Sequence, residues 1–194
     1  MQNLIIDIGN TAVKAAWAEG PTIGKTFRYQ GERVRNFILS LTEKEKPSAM
    51  IISSVNEISA HDEAAYSNEC ERLIIMDSAH TQVLADNGVP EWVSCDRAAS
   101  VIAVRHLFRG NGCTVMDFGT TFSIDFIDKD GGYAGGNISL GCRTRFKALN
   151  RYSRALPLVD TPSEIEFPGD SLLSSVTSGI ISGIMFEIEG YVSS

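Results

Sequence analysis

Leu4-Ile5-Ile6 is an apolar run that ends on the carboxylate of Asp7, and Ile8-Gly9-Asn10-Thr11 leads into a second apolar run at Ala12 and Val13. The pattern predicts strand, tight turn, strand, with Gly and Asn supplying the φ > 0 positions such a turn favours. The same order returns at Thr114-Val115-Met116-Asp117-Phe118-Gly119-Thr120-Thr121, before the alternating Phe122 to Ile127. Two strands, each ending in Asp-x-Gly-(Asn/Thr)-Thr and each followed by another strand, predict two similar halves.

Between the copies the periodicity changes. Val34, Phe37, Ile38 and Leu41 lie at helical spacing within 32–45, and Lys46-Pro47 closes that helix. Ala49–Val55 and Arg72–Met76 read as buried strands, and Ser59–Glu69 as a polar helix between them. The order β-β-β-α-β-α-β predicts one mixed sheet covered by helices. Thr81–Val93, with Gly88 and Pro90, reads as irregular; from Ser94 onward Val101, Ile102, Val104 and Leu107 restore a helix whose first turn holds Asp96 and Arg97. Gly110–Gly112 marks a boundary, giving halves at 1–112 and 113–194. In the second half Gly135–Gly141 returns the chain after a turn at 128–132, and its glycines suggest close approach of a backbone or a ligand. A basic helix (Cys142–Arg151) with a solvated charged face follows, then a proline-bearing loop at 154–167 and a last apolar helix, Leu172–Val192.

Composition narrows the classes. Seventeen basic against 24 acidic residues leave a net charge of −7, which argues against general nucleic-acid binding but not against a local phosphate site. No basic leader with an apolar core opens the chain, and no apolar run is read as reaching membrane-spanning length, so a cytoplasmic protein without membrane contact is expected. Cys70, Cys95, Cys113 and Cys142 stand far apart, as do His61, His80 and His106; reduced thiols and no Cys/His metal cluster are expected. Gly20–Thr26 imitates a P-loop but has three residues between its glycines instead of four, and Pro21 removes a cradle N–H, so it reads as a hairpin connection.

The chemistry that suits a pair of Gly-containing turns is phosphate binding, because backbone N–H groups there converge on an anion and Asn or Thr side chains add donors. Asp7 and Asp117 would repel phosphate themselves; they could hold a cation or act as a base. Lys14 is placed either to add charge beside a phosphate or as a solvated strand lysine. Asp96 either caps its helix, where free N–H groups favour a carboxylate, or takes a proton beside the anion-binding Arg97.

Taken together these residues resemble the type III pantothenate kinases, of the actin-like, ribonuclease-H-like phosphotransferases. The matching pieces are Asp7-Ile8-Gly9-Asn10-Thr11 with Lys14, Asp96-Arg97, Asp117-Phe118-Gly119-Thr120, and Gly135-Gly136-Asn137-Ile138-Ser139 with Gly141. Phe146-Lys147-Ala148-Leu149, Leu156-Pro157 and Gly169-Asp170-Ser171 extend the match. The resemblance implies a duplicated ribonuclease-H-like α/β fold with two mixed-sheet halves around a cleft. It implies ATP-dependent phosphorylation of pantothenate, the first step toward coenzyme A, with Asp96 as general base.

It further implies ATP phosphates on Asp7, Ile8, Gly9, Asn10, Thr11, Ala12, Val13 and Lys14, with Thr120 contributing. Pantothenate would meet Asn87, Ser94, Cys95, Asp96, Arg97 and Ser171. Asp117 would ligate a monovalent cation (K+ or NH4+) beside nucleotide-bound Mg2+, and the apolar last helix would pack a homodimer. Three positions and the length depart from the family pattern: Ser94 replaces a glycine, Asn87 a tyrosine and Ser171 a threonine, and the chain stops before a further strand, an adenosine loop and more helices. These departures leave two other outcomes open: a catalytically impaired or regulatory protein on the same scaffold, or a kinase of a related small hydroxyl acceptor.

Overall fold

Period-two alternation sorts the first strand between two faces. In a computed structural model that describes residues 2–160 and 165–193, β1 (Asn3–Ile8) buries Leu4 and Ile6 and turns Ile5 and Asp7 the other way. β2 (Val13–Glu19) and β3 (Thr22–Tyr29) continue antiparallel on one side of β1. β4 (Ala49–Ser54) and β5 (Arg72–Met76) add in parallel on the other side. The sheet order is β3-β2-β1-β4-β5. Helices α1 (Val34–Thr42) and α2 (Ala60–Ser67) carry the chain back between strands, and their Ile38 and Tyr66 join Leu4, Ile6, Val13, Met50 and Ile52 in one core. A one-residue slip of β1 would bury Asp7 in that core, so the hydrophobic pattern fixes which way the carboxylate points.

This matches the expected order, with local differences. Ser59 caps α2 by accepting the Asp62 N–H at 3.1 Å. The reversal between β2 and β3 is made at Gly20 (φ 55°), and Thr22–Thr26, expected as connection, belongs to β3, where β-branched Thr22, Ile23 and Thr26 favour extension. The stretch 81–93 contains a single helical turn, α3 (Gln82–Asp86), too short for periodicity to reveal. Neither Gly9 nor Asn10 has positive φ, so the first turn closes without left-handed residues. α4 (Cys95–Leu107) starts where expected and packs against β4.

Residues Met1–Leu107 and Phe108–Ser194 form separate compact units. In the second, β6 (Cys113–Phe118), β7 (Thr121–Ile127) and β8 (Tyr133–Leu140) make an antiparallel sheet in that order. α5 (Cys142–Tyr152) and α6 (Leu172–Ser193) pack through Phe146, Val176, Ile180 and Ile184. Arg145 departs from the expected solvated face of α5. It donates to Leu140 O (2.7 Å) and Ser139 Oγ (2.9 Å) and pairs with Glu187 of α6, tying β8 and both helices together. Contrary to the sequence expectation, α6 is long and apolar enough to cross a membrane by length and composition, with 22 residues and mean hydropathy 1.3. A third of that window is buried inside the protein. Part of the expected proline loop, Thr161 to Glu164 with Pro162, lies outside the described residues.

The glycine-rich stretch resolves into distinct demands. Gly135 sits at φ 128° beside the register shift between β7 and β8. At Gly141 a Cβ would come within 2.0 Å of Gly119 O and 2.9 Å of Thr120 O, so a backbone occupies the space. Gly141→Ala is therefore expected to destabilise the fold by about 1–3 kcal/mol. Gly179→Ala, inside α6 with open space around it, is expected to stabilise by up to about 1 kcal/mol. Urea denaturation of the two variants measures both signs.

Candidate functional site

Parallel strands β1, β4 and β5 all end at the same edge of the first sheet, the edge where open α/β sheets bind ligands. At the end of β1 the backbone turns tightly, with the Gly9 N–H donating to Ala12 O at 3.1 Å. The β1–β2 register sets Asp7 opposite Lys14, and Lys14 Nζ lies 3.5 Å from Asp7 Oδ2. Asn10 and Thr11 are exposed at the tip, and Gln30 Nε2 donates to Thr11 O at 3.5 Å. Ile8, Gly9 and Ala12 are half-buried. Val13 is a core residue, so it can meet a ligand only through its backbone. A cavity of about 480 Å³ opens over the face that carries Ile5, Asp7, Lys14 and Ala16.

α4 begins near that edge. Ser94 O accepts the Ala98 N–H at 2.8 Å, which makes Ser94 the cap position, with its side chain exposed. Asp96 Oδ1 accepts the Arg97 N–H at 2.9 Å, so the carboxylate is half-buried and held against the helix's free N–H groups. The two roles expected of Asp96, cap and proton acceptor, are compatible, because its second oxygen is left for another contact. Arg97 is 4% exposed, with its guanidinium 6.0 Å from the ring centre of the exposed Trp92. Cys95 is buried, and burial, then the charges of Asp77 and Asp96, push its thiol up, so it stays protonated and packs.

Asp77, absent from the sequence-based site, holds this end together. Fully buried, it accepts the Ile58 N–H on Oδ2 (2.8 Å). Oδ1 accepts from the Ala79 N–H (2.9 Å), the His80 N–H (2.8 Å) and His80 Nδ1 (2.8 Å). His80 Nε2 also lies 3.7 Å from Glu63 of α2. Burial pushes the Asp77 carboxyl up, but the bonds from Ile58, the His80 ring and the two loop N–H groups outweigh it and hold it below the usual carboxylate range. The bond to Asp77 raises His80 above an ordinary imidazole; burial opposes this, and the charges of Asp77, Glu63 and Glu57 add to it. An apolar run ending in Asp, Ile74-Ile75-Met76-Asp77, is the signal that would have found it, since Asp7 and Asp117 end their strands the same way.

Other expected residues are engaged locally. Asn87 caps α3, its side-chain amide donating to Val83 O at 2.8 Å, and its carbonyl accepts from Arg105; it is tethered to α4 through Arg105 rather than at the first turn. In the second unit the Asp117 turn is one residue shorter than its counterpart: the Gly119 N–H donates to Thr121 O (2.9 Å), and the register sets Asp117 opposite Ser123. Asp117 is exposed. Thr120 O accepts the Gly141 N–H (3.0 Å) and the Thr144 hydroxyl (2.6 Å), which anchor the turn to the start of α5. Ser171 caps α6 by reciprocal bonds with Ser174: the Ser171 N–H donates to Ser174 Oγ (2.9 Å) and the Ser174 N–H to Ser171 Oγ (3.2 Å).

The model of the type III pantothenate kinase family matches residues 3–194. A type III pantothenate kinase of Phocaeicola vulgatus is 37% identical over 98% of this chain and 78% of its own length. One of Cytophaga hutchinsonii is 32% identical over 98% and 79%. Two solved structures share the fold at low identity. A Baf family protein from Campylobacter jejuni has TM-score 0.59 and 19% identity over 96% of this chain and 78% of its own. The Lmo2764 protein from Listeria monocytogenes has TM-score 0.53 and 12% identity over 95% and 76%.

The Asp77–His80 clamp has a definite pH window. Asp77, depressed in the fold, contributes stability above about pH 4 that is lost as pH falls through its folded value; His80, raised, contributes below about pH 6.5 and loses its contribution as pH rises through its folded value. Asp77→Asn is expected to cost about 3 kcal/mol. His80→Gln is expected to flatten the decline in melting temperature between pH 6 and 8. Thermal unfolding across pH 3–9 measures both.

Proposed function

The chain belongs to the type III pantothenate kinase family, and on that premise we propose which of its residues carry the transfer of phosphate from ATP to pantothenate, the first step of coenzyme A biosynthesis. The observation that carries the assignment is the Asp96 carboxylate fixed in the first turn of α4, at the strand-end edge of the sheet that also bears the Asp7–Lys14 turn. Asp96 accepts the proton of the pantothenate 4′-hydroxyl as that oxygen attacks the γ-phosphorus of ATP and the bond to ADP breaks. Arg97, with its guanidinium near Trp92, binds the anionic side of the acceptor. Ser94, Cys95 and Ser171 complete the acceptor contacts, Cys95 through its backbone because its side chain is buried. Asn87 takes part from the α3 end.

The exposed Asn10 and Thr11 and the backbone of residues Asp7 to Lys14 hold the phosphates, and Thr120 is assigned to the same ligand. Gly9 suits that role: an added Cβ would meet only Ala12 O at 3.5 Å and its φ is not positive, so the protein's own packing does not require glycine there. Mg2+, carried by the nucleotide, would neutralise β- and γ-phosphate charge. Asp117 holds a monovalent cation, K+ or NH4+. Its side chain makes no hydrogen bond or ion pair among the described residues, which leaves its oxygens open to a hard cation.

Residues 1–112 and 113–194 act as the two ribonuclease-H-like halves. A homodimer is supported by exposed Leu172, Leu173, Met185 and Phe186 on α6, and a cytoplasmic location is what membership of this kinase family supports. A coupled ADP-release assay with pantothenate and MgATP, with and without K+, tests the assignment. Asp96→Asn is expected to lower kcat at least 100-fold while MgATP binding persists. Wild-type kcat in that variant would overturn the base assignment, and equal rates without any monovalent cation would overturn the role of Asp117.

A further inference from the structure

The register of the first sheet extends the charged row by one residue. Asp7 on β1 is opposite Lys14 on β2, and Lys14 is opposite Arg28 on β3. Directly opposed residues in a sheet share a face, so the three side chains stand in line, Arg28 about 4.8 Å beyond Lys14 and about 10 Å from Asp7 along the strand-to-strand direction. All three line the cavity of about 480 Å³ on that face. The floor beside them is the next same-face row, Ile5, Ala16 and Thr26, which is small or apolar and adds no charge.

The charges along the row are unequal. Lys14 Nζ is 3.5 Å from Asp7, so these two nearly cancel for an approaching anion. Arg28 is exposed and its side chain makes no ion pair or hydrogen bond among the described residues. The net positive charge of the row therefore sits on the guanidinium, whose planar fork matches phosphate oxygens bidentately. A cation on an edge strand with a solvated face is common. Here, however, it lies in register with the phosphate-turn pair and shares its cavity.

We propose that Arg28 is a binding residue for the polyphosphate of the nucleotide, the third member of an Asp7–Lys14–Arg28 row that seats the phosphate chain across three strands. This deepens the assignment of the Asp7–Lys14 turn to ATP and rests on it. Lys14 and Arg28 divide the work: Lys14, tied to Asp7, marks the turn, and Arg28 supplies the uncompensated charge.

Calorimetric titration of the full chain with MgATP, inorganic triphosphate and pantothenate tests this, using wild type, Arg28→Gln, Arg28→Lys and Lys14→Gln at low and high ionic strength. Arg28→Gln is expected to raise the Kd for MgATP and for triphosphate alike by about tenfold, to leave pantothenate binding unchanged, and to lose most of its effect near 1 M salt. Arg28→Lys is expected to recover part of the loss, since the charge returns without the fork. Melting temperatures equal to wild type show that the exposed substitutions leave the fold intact. Unchanged MgATP and triphosphate affinity in Arg28→Gln, while Lys14→Gln loses affinity, would overturn the proposal and leave the ATP site standing. A wild type that binds neither MgATP nor triphosphate would overturn the ATP assignment itself and Arg28 with it.

Discussion

A carboxylate taken out of water must be met by donors, and Asp77 is met by four. That requirement organises the strand-end edge of the first sheet. The bonds draw in the backbone after β4, the loop after β5 and, through His80, the flank of α2. Cys95 feels the Asp77 charge, so the first turn of α4 lies within its reach. The strand-end edge beside that turn is thus built on a buried polar network rather than on loop chemistry alone. Removing one partner would leave the others unsatisfied in a low-dielectric setting, which makes such a network rigid.

The Asp7–Lys14 turn follows a different logic. There the chain offers open backbone and exposed polar tips, and the nearby charges are placed by strand register. The two Asp-Gly-Thr turns look alike in sequence but close differently. In the first, Asn10 and Thr11 lie between the bonded Gly9 and Ala12 and a lysine faces the aspartate; in the second, Thr120 alone lies between Gly119 and Thr121 and a serine faces it. The duplicated halves therefore carry different chemistry, one turn paired with a cation and the other leaving its carboxylate exposed. The second turn is braced from behind by Gly141 and Thr144, and α5 is in turn locked to α6 by Arg145 and Glu187. Burial pushes the Glu187 carboxyl up, but the bonds from Arg145 and Ser139 hold it below the usual range, so it stays ionised as the anchor of that lock.

The chain spans about four-fifths of the length of the relatives it matches, and the turn and helix positions named in both units fall within that span. Membership of the family and the duplicated α/β fold rest on the order of those pieces over residues 3–194. Single motifs such as Asp-x-Gly-x-Thr recur as ordinary turns.

Alternation and helical spacing were enough to read β1, β2, β4, β5, α4 and the Asp-x-Gly turns from the sequence, because burying Leu4, Ile6, Met50 and Ile52 on one face leaves Asp7 no choice of side. Short or polar pieces escaped it: α3 spans one turn, and the start of β3 was masked by Gly20-Pro21. What only tertiary structure decided was partnership. Asp77 and Arg28 look ordinary in a list of residues; one gains meaning from donors up to 19 positions away and the other from a strand register set across β2. Asn87 and Ser171, expected at the acceptor, also cap α3 and α6, which no local pattern announced. Local pattern is written by the burial of neighbouring side chains, whereas hydrogen-bond and charge partners depend on which distant segments the fold brings together.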